Sequence, residues 1–470
     1  MTEQSIEADY LVVGAGAMGL AFTDVLLTDS DATVAIVDRL DKPGGHWNHA
    51  YPFVRLHQPS AYYGVNSRQL GENRYDEAGR NKGMMELAGV SEILGYFDNL
   101  MRRDFLPTGR VQYFPQCDYE GQADGYGRFS SKASGQRYRV KSKKLVDATY
   151  MNVRVPAVTP PNFEVAEGVR LVPPNGLGAL PGDVADYCVI GAGKTAMDAC
   201  LYLMDLGVAP DQITWIKPRD AWLIDRAQMQ PEGFAERSVV DYLMDQLAAV
   251  AASSSFDDML ERIEACGAAI RIDADREPTM WRCATVSQAE MADLRRIKNV
   301  IRKGRVRRLE PGRIMLDEGD VASAAGTLFV NCTADGLERR PKTPIFAGER
   351  ITLQTVRPCQ QLFAAAVIAH VECAYADDAK KNALCPPAQH PDETRDFVDF
   401  LQSFLATQLN WMTEPELFKW LVEARLDAFM TPKLEATMRG EGEMPLETLM
   451  ELGGVAMAKL DAYRADLAAA

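Results

Sequence analysis

A chain of 470 residues is long enough for two or three domains, and 47% apolar with 25% charged residues is the balance of packed cores, not of bulk disorder. A formal net charge of -15 argues against nonspecific binding to nucleic acid or to an anionic membrane. The longest apolar run, Leu362 to Val371, is about half of what a bilayer span needs, and the first residues carry no leader pattern, so the expected setting is the cytoplasm.

Residues 10 to 38 hold the first strong pattern. The apolar run Tyr10-Leu11-Val12-Val13 enters the turn Gly14-Ala15-Gly16-Ala17-Met18-Gly19. An apolar helical segment follows, then a second short strand that ends in Asp38. In such a strand-turn-helix, the first glycine permits the turn and the second lets a pyrophosphate approach the backbone. The third lets helix and strand pack closely, and the helix N-terminus faces the phosphates. An acid about twenty residues on accepts from ribose hydroxyls, which assigns Asp38, with its neighbour Arg39, to a bound dinucleotide.

The next segment runs through Gly45-His46-Trp47 to Tyr51-Pro52-Phe53-Val54-Arg55-Leu56-His57. Its density of aromatics, Arg and His predicts a wall around a flavin ring, with an ordinary buried loop as the bland reading. Ser91 to Arg103 has helical spacing, and residues 110–114 and 138–141 alternate as strands of a small antiparallel sheet. Backbone near Cys117 is placed against an adenine. Residues 156–181, rich in Pro and Gly, read as a linker.

The glycine turn then recurs. Tyr187-Cys188-Val189-Ile190 leads into Gly191-Ala192-Gly193-Lys194-Thr195-Ala196, a helix, and the strand Ile213 to Ile216. No acid follows that strand; Lys217 and Arg219 stand there, which suits the 2′-phosphate of NADPH. Two such folds, one followed by an acid and one by bases, imply FAD at the first and NADPH at the second.

Helical spacing predicts helices over 238–252, 256–266 and 288–302. The basic run Arg302 to Arg308 lacks interleaved aromatics and reads as a solvated turn, not a nucleic-acid patch. Thr327 to Gly336 is another strand ending in small residues and an acid, Asp335, and repeats the pattern of residues 145–150. Gln361 opens an apolar helix. Its N-terminus is aimed at the flavin, or it is a core helix that closes the domain; both readings stand. Three amphipathic helices, 394–409, 414–429 and 446–467, end the chain and cap the substrate side or form a homodimer surface. Nine cysteines without a C-x-x-C spacing predict buried thiols in a reducing compartment. They also remove the flavoenzymes with a redox-active dithiol beside the flavin.

On these residues the chain resembles the class B flavin monooxygenases: flavin-containing, N-hydroxylating and Baeyer–Villiger types. Gly45-His46-Trp47 with Tyr51-Pro52 and Arg55 is similar to their Gly-Gly-x-Trp and Tyr-Pro-x-x-Arg segment. Ala148-Thr149 and Cys332-Thr333-Ala334 stand at their Ala-Thr-Gly strands. The resemblance spans residues 8–60, 145–225 and 325–372, but Val169 to Gly176 lacks the Phe-x-Gly-x-x-x-His fingerprint of the class.

It implies an α/β fold of two Rossmann-like dinucleotide-binding domains, for FAD and NADPH, with a C-terminal helical extension. The expected parts are 1–175 (FAD domain), 176–325 (NADPH domain with a helical insertion), 326–375 (FAD return segment) and 376–470 (helices). It also implies a monooxygenase that uses O2, through a flavin C4a-(hydro)peroxide, on a small-molecule substrate, with Arg55 and His57 orienting the reactants. A reductase without oxygenation and a flavin-based redox sensor are the alternatives. No metal is expected.

Overall fold

The structure, a computed structural model, describes residues 3–179, 184, 186–442 and 445–469. Two mainly parallel sheets organise it. The first runs Phe346–Ala347, Arg350–Thr352, Arg137–Asp147, Gln4–Val13, Val34–Val37, Val111–Phe114 from edge to edge. The second runs Asn299–Ile301, Ile213–Ile216, Tyr187–Ile190, Leu328–Asn331, Arg170–Val172. Val34–Val37, Tyr187–Ile190 and Leu328–Asn331 are buried along their whole length, as parallel strands covered on both faces must be. That is why they read as unbroken apolar runs.

The two sheets repeat one local arrangement. In each, the strand before the glycine turn is flanked by the strand after the helix on one side and by a strand ending in small residues on the other. Val13 pairs with Val37 and Asp147; Ile190 pairs with Ile216 and Asn331. The small residues that follow are needed because the chains nearly touch. A Cβ on Gly14 would lie 3.2 Å from Thr149 Cγ2, and one on Gly191 would lie 2.7 Å from the Cys332 carbonyl oxygen.

Several expectations change. Strands Arg170–Val172 and Leu328–Asn331 both pair in the second sheet, so that sheet draws chain from outside the expected 176–325. Residues 111–114 form a parallel edge strand beside Val34–Val37, not part of an antiparallel sheet. The antiparallel piece is Cys117–Ala123, Tyr126–Ser131 and Arg137–Asp147, with Gly121 and Gly127 inside its strands and Gly125 in the turn between the first two. The linker segment contains the strands Glu164–Val165 and Arg170–Val172, and its residues 180–181 lie outside the described residues. The helix expected over 288–302 stops at Leu294, because 299–301 pairs instead beside Ile213–Ile216.

Helix Gln361–Ala374 packs along helix Ala17–Asp29. Ten of its residues are buried and its sides differ little in polarity, which marks a core helix. The insertion and the C-terminus form one helical body: Leu446–Ala469 packs on Val239–Ala252 and on Asp396–Met412. Ser253 Oγ meets Tyr463 OH at 2.7 Å, and Lys459 Nζ donates to the Ser253 carbonyl at 2.8 Å.

Candidate functional site

One cleft of about 1180 Å³ is lined by both glycine turns, residues 45–63, and the segments around residues 148–158, 282–284, 334–340 and 359–363. Single small-ligand pockets run to about 1,000 Å³, so the space suits more than one small ligand.

At the first turn, helix Ala17–Asp29 begins at Gly16 with no side-chain cap and no acid in its first turn. Its leading N–H groups are therefore left for an anion at the cleft. Gly16, Ala17 and Met18 line the cleft; Ala15 and Gly19 build the turn behind it. A Cβ on Gly19 would lie 2.1 Å from the Gly14 carbonyl oxygen, so only glycine lets helix and strand close here. Gly45, at φ +57, brings its backbone onto the same turn: a Cβ there would lie 2.9 Å from Gly16 Cα. Gly44 N–H donates to the Ala15 carbonyl at 2.8 Å.

Asp38 lines the cleft and holds the turn. Its Oδ2 accepts from Ala15 N–H at 2.6 Å and its Oδ1 from Leu40 N–H at 2.7 Å. Burial raises its pKa against the opposing pull of those N–H groups. Arg39 and Cys117 line the same end, with Cys117 N–H donating to the Asp38 carbonyl at 2.9 Å.

The aromatic loop lies between the turns. His46 stacks on Trp47, whose Nε1 donates to Tyr63 OH. Arg55 is exposed in the cleft, anchored by one bond from Nη1 to the Leu87 carbonyl at 3.1 Å. His57 Nδ1 accepts from Thr285 N–H at 3.3 Å, which leaves its proton on Nε2 as a donor. Burial, aided by the Lys194 and Arg226 cations, pushes its pKa down to about 3. His57 is thus a neutral hydrogen-bond donor, not a base poised near neutrality.

At the second turn, helix Lys194–Asp205 starts at Gly193 without a side-chain cap, and Gly193, Lys194 and Thr195 line the cleft. Gly191 sits behind them, where Trp215 Nε1 donates to its carbonyl at 2.7 Å. Lys194 Nζ pairs with Asp198 and, at 3.4 Å, with Glu290; Tyr51 OH donates to Asp198 at 2.7 Å. Arg226, buried beneath, bonds Glu290 at 2.7 Å and the His57 carbonyl at 3.0 Å. Burial works to raise the Glu290 pKa, but Lys194 and Arg226 outweigh it and hold the carboxylate ionised. Arg226 and Glu290 carry no sequence signal; only the fold brings them to the second turn.

The structure does not bring Lys217 and Arg219 to the cleft. Lys217 is 2% exposed and bound to Asp220. Arg219 makes two bonds to Asp392, at 2.9 and 3.1 Å. The acid three residues after Lys217 was the available signal. The cleft cation nearest in sequence to that end of the second sheet is Arg305, exposed just beyond strand Asn299–Ile301.

On the return segment, Asp335 lines the cleft and pairs with Arg282 at 3.2 Å. Gln361, at the start of its helix, lines it too and meets His390 Nε2 at 2.9 Å. Burial pushes the His46 and His390 pKa values down to about 4. Cys283 and Cys359, on segments 76 residues apart, form a disulfide, and both line the cleft. The expectation of mostly buried thiols fits Cys117, Cys188, Cys200, Cys332 and Cys385, which are free and buried; this pair departs from it, and cysteines so far apart have no spacing signature.

Fold and cleft define an α/β protein of two Rossmann-like domains facing one ligand space. Among the solved structures to which the chain is similar are flavin monooxygenases. They include the flavin-containing monooxygenase from Stenotrophomonas maltophilia (14% identity, 81% of this chain and 99% of that one, TM-score 0.48). The open form of cyclohexanone monooxygenase is another (15%, 80% and 88%, TM-score 0.49). No family model matches the chain. The chain belongs to the family of the uncharacterized proteins Rv2000 of Mycobacterium tuberculosis and Mb2023 of Mycobacterium bovis. To each it is 50% identical over 424 residues, 90% of this chain and 78% of theirs.

Proposed function

We propose that this protein is an NADPH-consuming flavoprotein oxidoreductase that works as a monooxygenase on a small organic molecule. The observation that carries the reading is that two uncapped, glycine-lined helix N-termini open on one cleft. The residues present fit the two nucleotides. Gly16 leaves the first cradle open, and a Cβ on Gly193 would meet nothing within 4 Å. Each therefore has room for a pyrophosphate against the backbone.

The residues divide the work. Gly16, Ala17 and Met18 hold the FAD pyrophosphate, with Asp38 at the ribose end. Gly193, Lys194 and Thr195 hold the NADPH pyrophosphate, and Lys194 is kept in place by Asp198 and Glu290. A bound flavin supplies two-electron chemistry, taking hydride from nicotinamide and passing electrons to oxygen or an organic acceptor. Trp47, Tyr51, Tyr62 and Tyr63 line the cleft and exclude water from that region. Neutral His57 donates from Nε2 to an anionic or carbonyl oxygen, and Arg55 supplies an exposed cation.

The test is oxygen balance. With holoprotein, NADPH and a mixed metabolite pool, isotopically labelled O2 should appear in an organic product in step with NADPH consumed. NADPH oxidation that continues at the same rate without O2, coupled to an organic acceptor, would instead make this a reductase. The missing fingerprint at residues 169–176 favours that second reading.

A further inference from the structure

The Cys283–Cys359 disulfide is not where a structural staple would be expected. Both cysteines line the cleft shared by the two glycine turns, so the bond stands in the reaction space. It joins strand Met280–Val286 of the insertion to the head of helix Gln361–Ala374.

The backbone singles out the same two residues. Among the described residues, six that are not glycine have positive φ. Four are Asn, Asp or Gln, which tolerate that conformation in turns; the other two are Cys283, at φ +52°, and Cys359, at φ +64°. A left-handed cysteine costs energy that its surroundings must offset, and such residues cluster where function requires them.

The chemistry around the pair is suited to opening it. Cys359 lies two residues before a 14-residue helix that has no side-chain cap, and a helix N-terminus favours a thiolate over a thiol. Arg282 precedes Cys283 and places a cation beside it, 36% exposed and paired to Asp335 and Asp392. The remaining cysteines differ. Burial pushes their thiols upward, which keeps them protonated and inert.

We propose that Cys283–Cys359 is a redox-active cystine of this protein, reduced by NADPH through the bound flavin. The balance is NADPH plus one proton plus the cystine, giving NADP+ and two thiols. The S–S bond breaks, two S–H bonds form, and two electrons leave the nicotinamide. Of the two thiols formed, Cys359, half-buried at the helix head, is the one that then loses its proton to become the attacking thiolate; Cys283 is the buried partner. The dithiol then reduces a disulfide-class acceptor and closes again. The proposal rests on the flavin and NADPH occupancy argued above, not on oxygen insertion.

The test is an anaerobic reductive titration of the holoprotein, first with dithionite and then with NADPH, with thiol alkylation and peptide mapping at each stage. Before reduction, Cys283 and Cys359 should be recovered as one linked peptide; after it, both should be alkylated. Wild type should take up two electron pairs per flavin, while Cys283→Ser and Cys359→Ser should take up one. Complete flavin bleaching after one electron pair, with the peptide still linked, overturns the cystine assignment and leaves the nucleotide reading standing. Two sulfurs never linked in aerobic wild-type protein overturn it as well, without need of any variant. A protein that carries no flavin and accepts none brings down the nucleotide reading, and this proposal with it.

Discussion

Gly16 and Gly45 sit back to back at the cleft: a Cβ on Gly45 would lie 2.9 Å from Gly16 Cα, whereas one on Gly16 would lie 3.7 Å from Gly45 Cα, so a branched side chain at Gly16 fits the protein but takes the space assigned to the pyrophosphate. Gly16→Val should fold, as judged by circular dichroism, yet purify without FAD; retention of stoichiometric flavin would contradict the assigned cradle. The cations give a second test. Arg305→Ala should weaken NADPH by roughly tenfold to a hundredfold, the value of a charge-assisted bond of about 1.5–3 kcal/mol, and leave NADH little changed. Arg219→Ala, which frees Asp392 instead of a phosphate, should affect both nucleotides alike. Comparing the two KM ratios decides the point. This is where sequence reading was weakest. Basic residues after a strand were legible, and so was Asp220 three residues after Lys217, but Asp392 was not, because it lies on a distant segment. Histidine adds a pH prediction. His46, His57 and His390 line the cleft and are half-buried at its surface, but lie deep enough that burial pushes them to about 4, 3 and 4. Folding keeps them neutral while the unfolded chain protonates them near 6.5. Their contribution is therefore complete above about pH 6.5 and falls as pH drops toward 4. Melting temperature should decline across that window, and less steeply in His57→Gln.

The helices carry the next lesson. Arg357, 1% exposed, stands before helix Gln361–Ala374 and bonds Gln408 and Asp427 of the C-terminal body. Its guanidinium lies 4.2 Å from the Phe363 ring centroid and 4.9 Å from that of Trp411. Removing one partner leaves a buried charge uncompensated, so Asp427→Ala should lower unfolding stability by about 3–5 kcal/mol. Arg357→Met with Asp427→Leu should recover much of it in denaturant melts, since neither charge then remains. Arg425 ties the same body to the aromatic loop, donating to the Tyr63 carbonyl at 3.1 Å. Among the described residues, none beyond Asp392 lines the cleft. The C-terminal helices therefore brace the wall from behind instead of capping the substrate side. The long helices Asp396–Met412 and Leu446–Ala469 were legible from spacing, whereas the helix expected over 414–429 spans only Pro415–Glu423. The short helices Asp378–Leu384 and Pro432–Met438 were not, because about two turns held by caps at Asp377 and Thr431 show too little period to read.

At the scale of the molecule, both nucleotide folds could be read from the sequence because each packs its chemistry into a local stretch. Turn, helix and flanking strand all fall within about thirty residues. What could not be read is long-range: the strand exchange that places Leu328–Asn331 in the second sheet, the buried Arg226–Glu290 pair, and the cystine that joins two segments 76 residues apart. Among the described residues, no helix is long and apolar enough to cross a membrane. The account stands on both turns being filled at once, in one cleft, with electrons passing between their occupants. The direct measurement is anaerobic mixing of FAD-loaded protein with NADPH while flavin absorbance is followed. The account predicts that the flavin bleaches fully, and faster than with NADH. A colourless protein that refuses FAD, or a bound flavin that stays oxidised in excess NADPH, would contradict it.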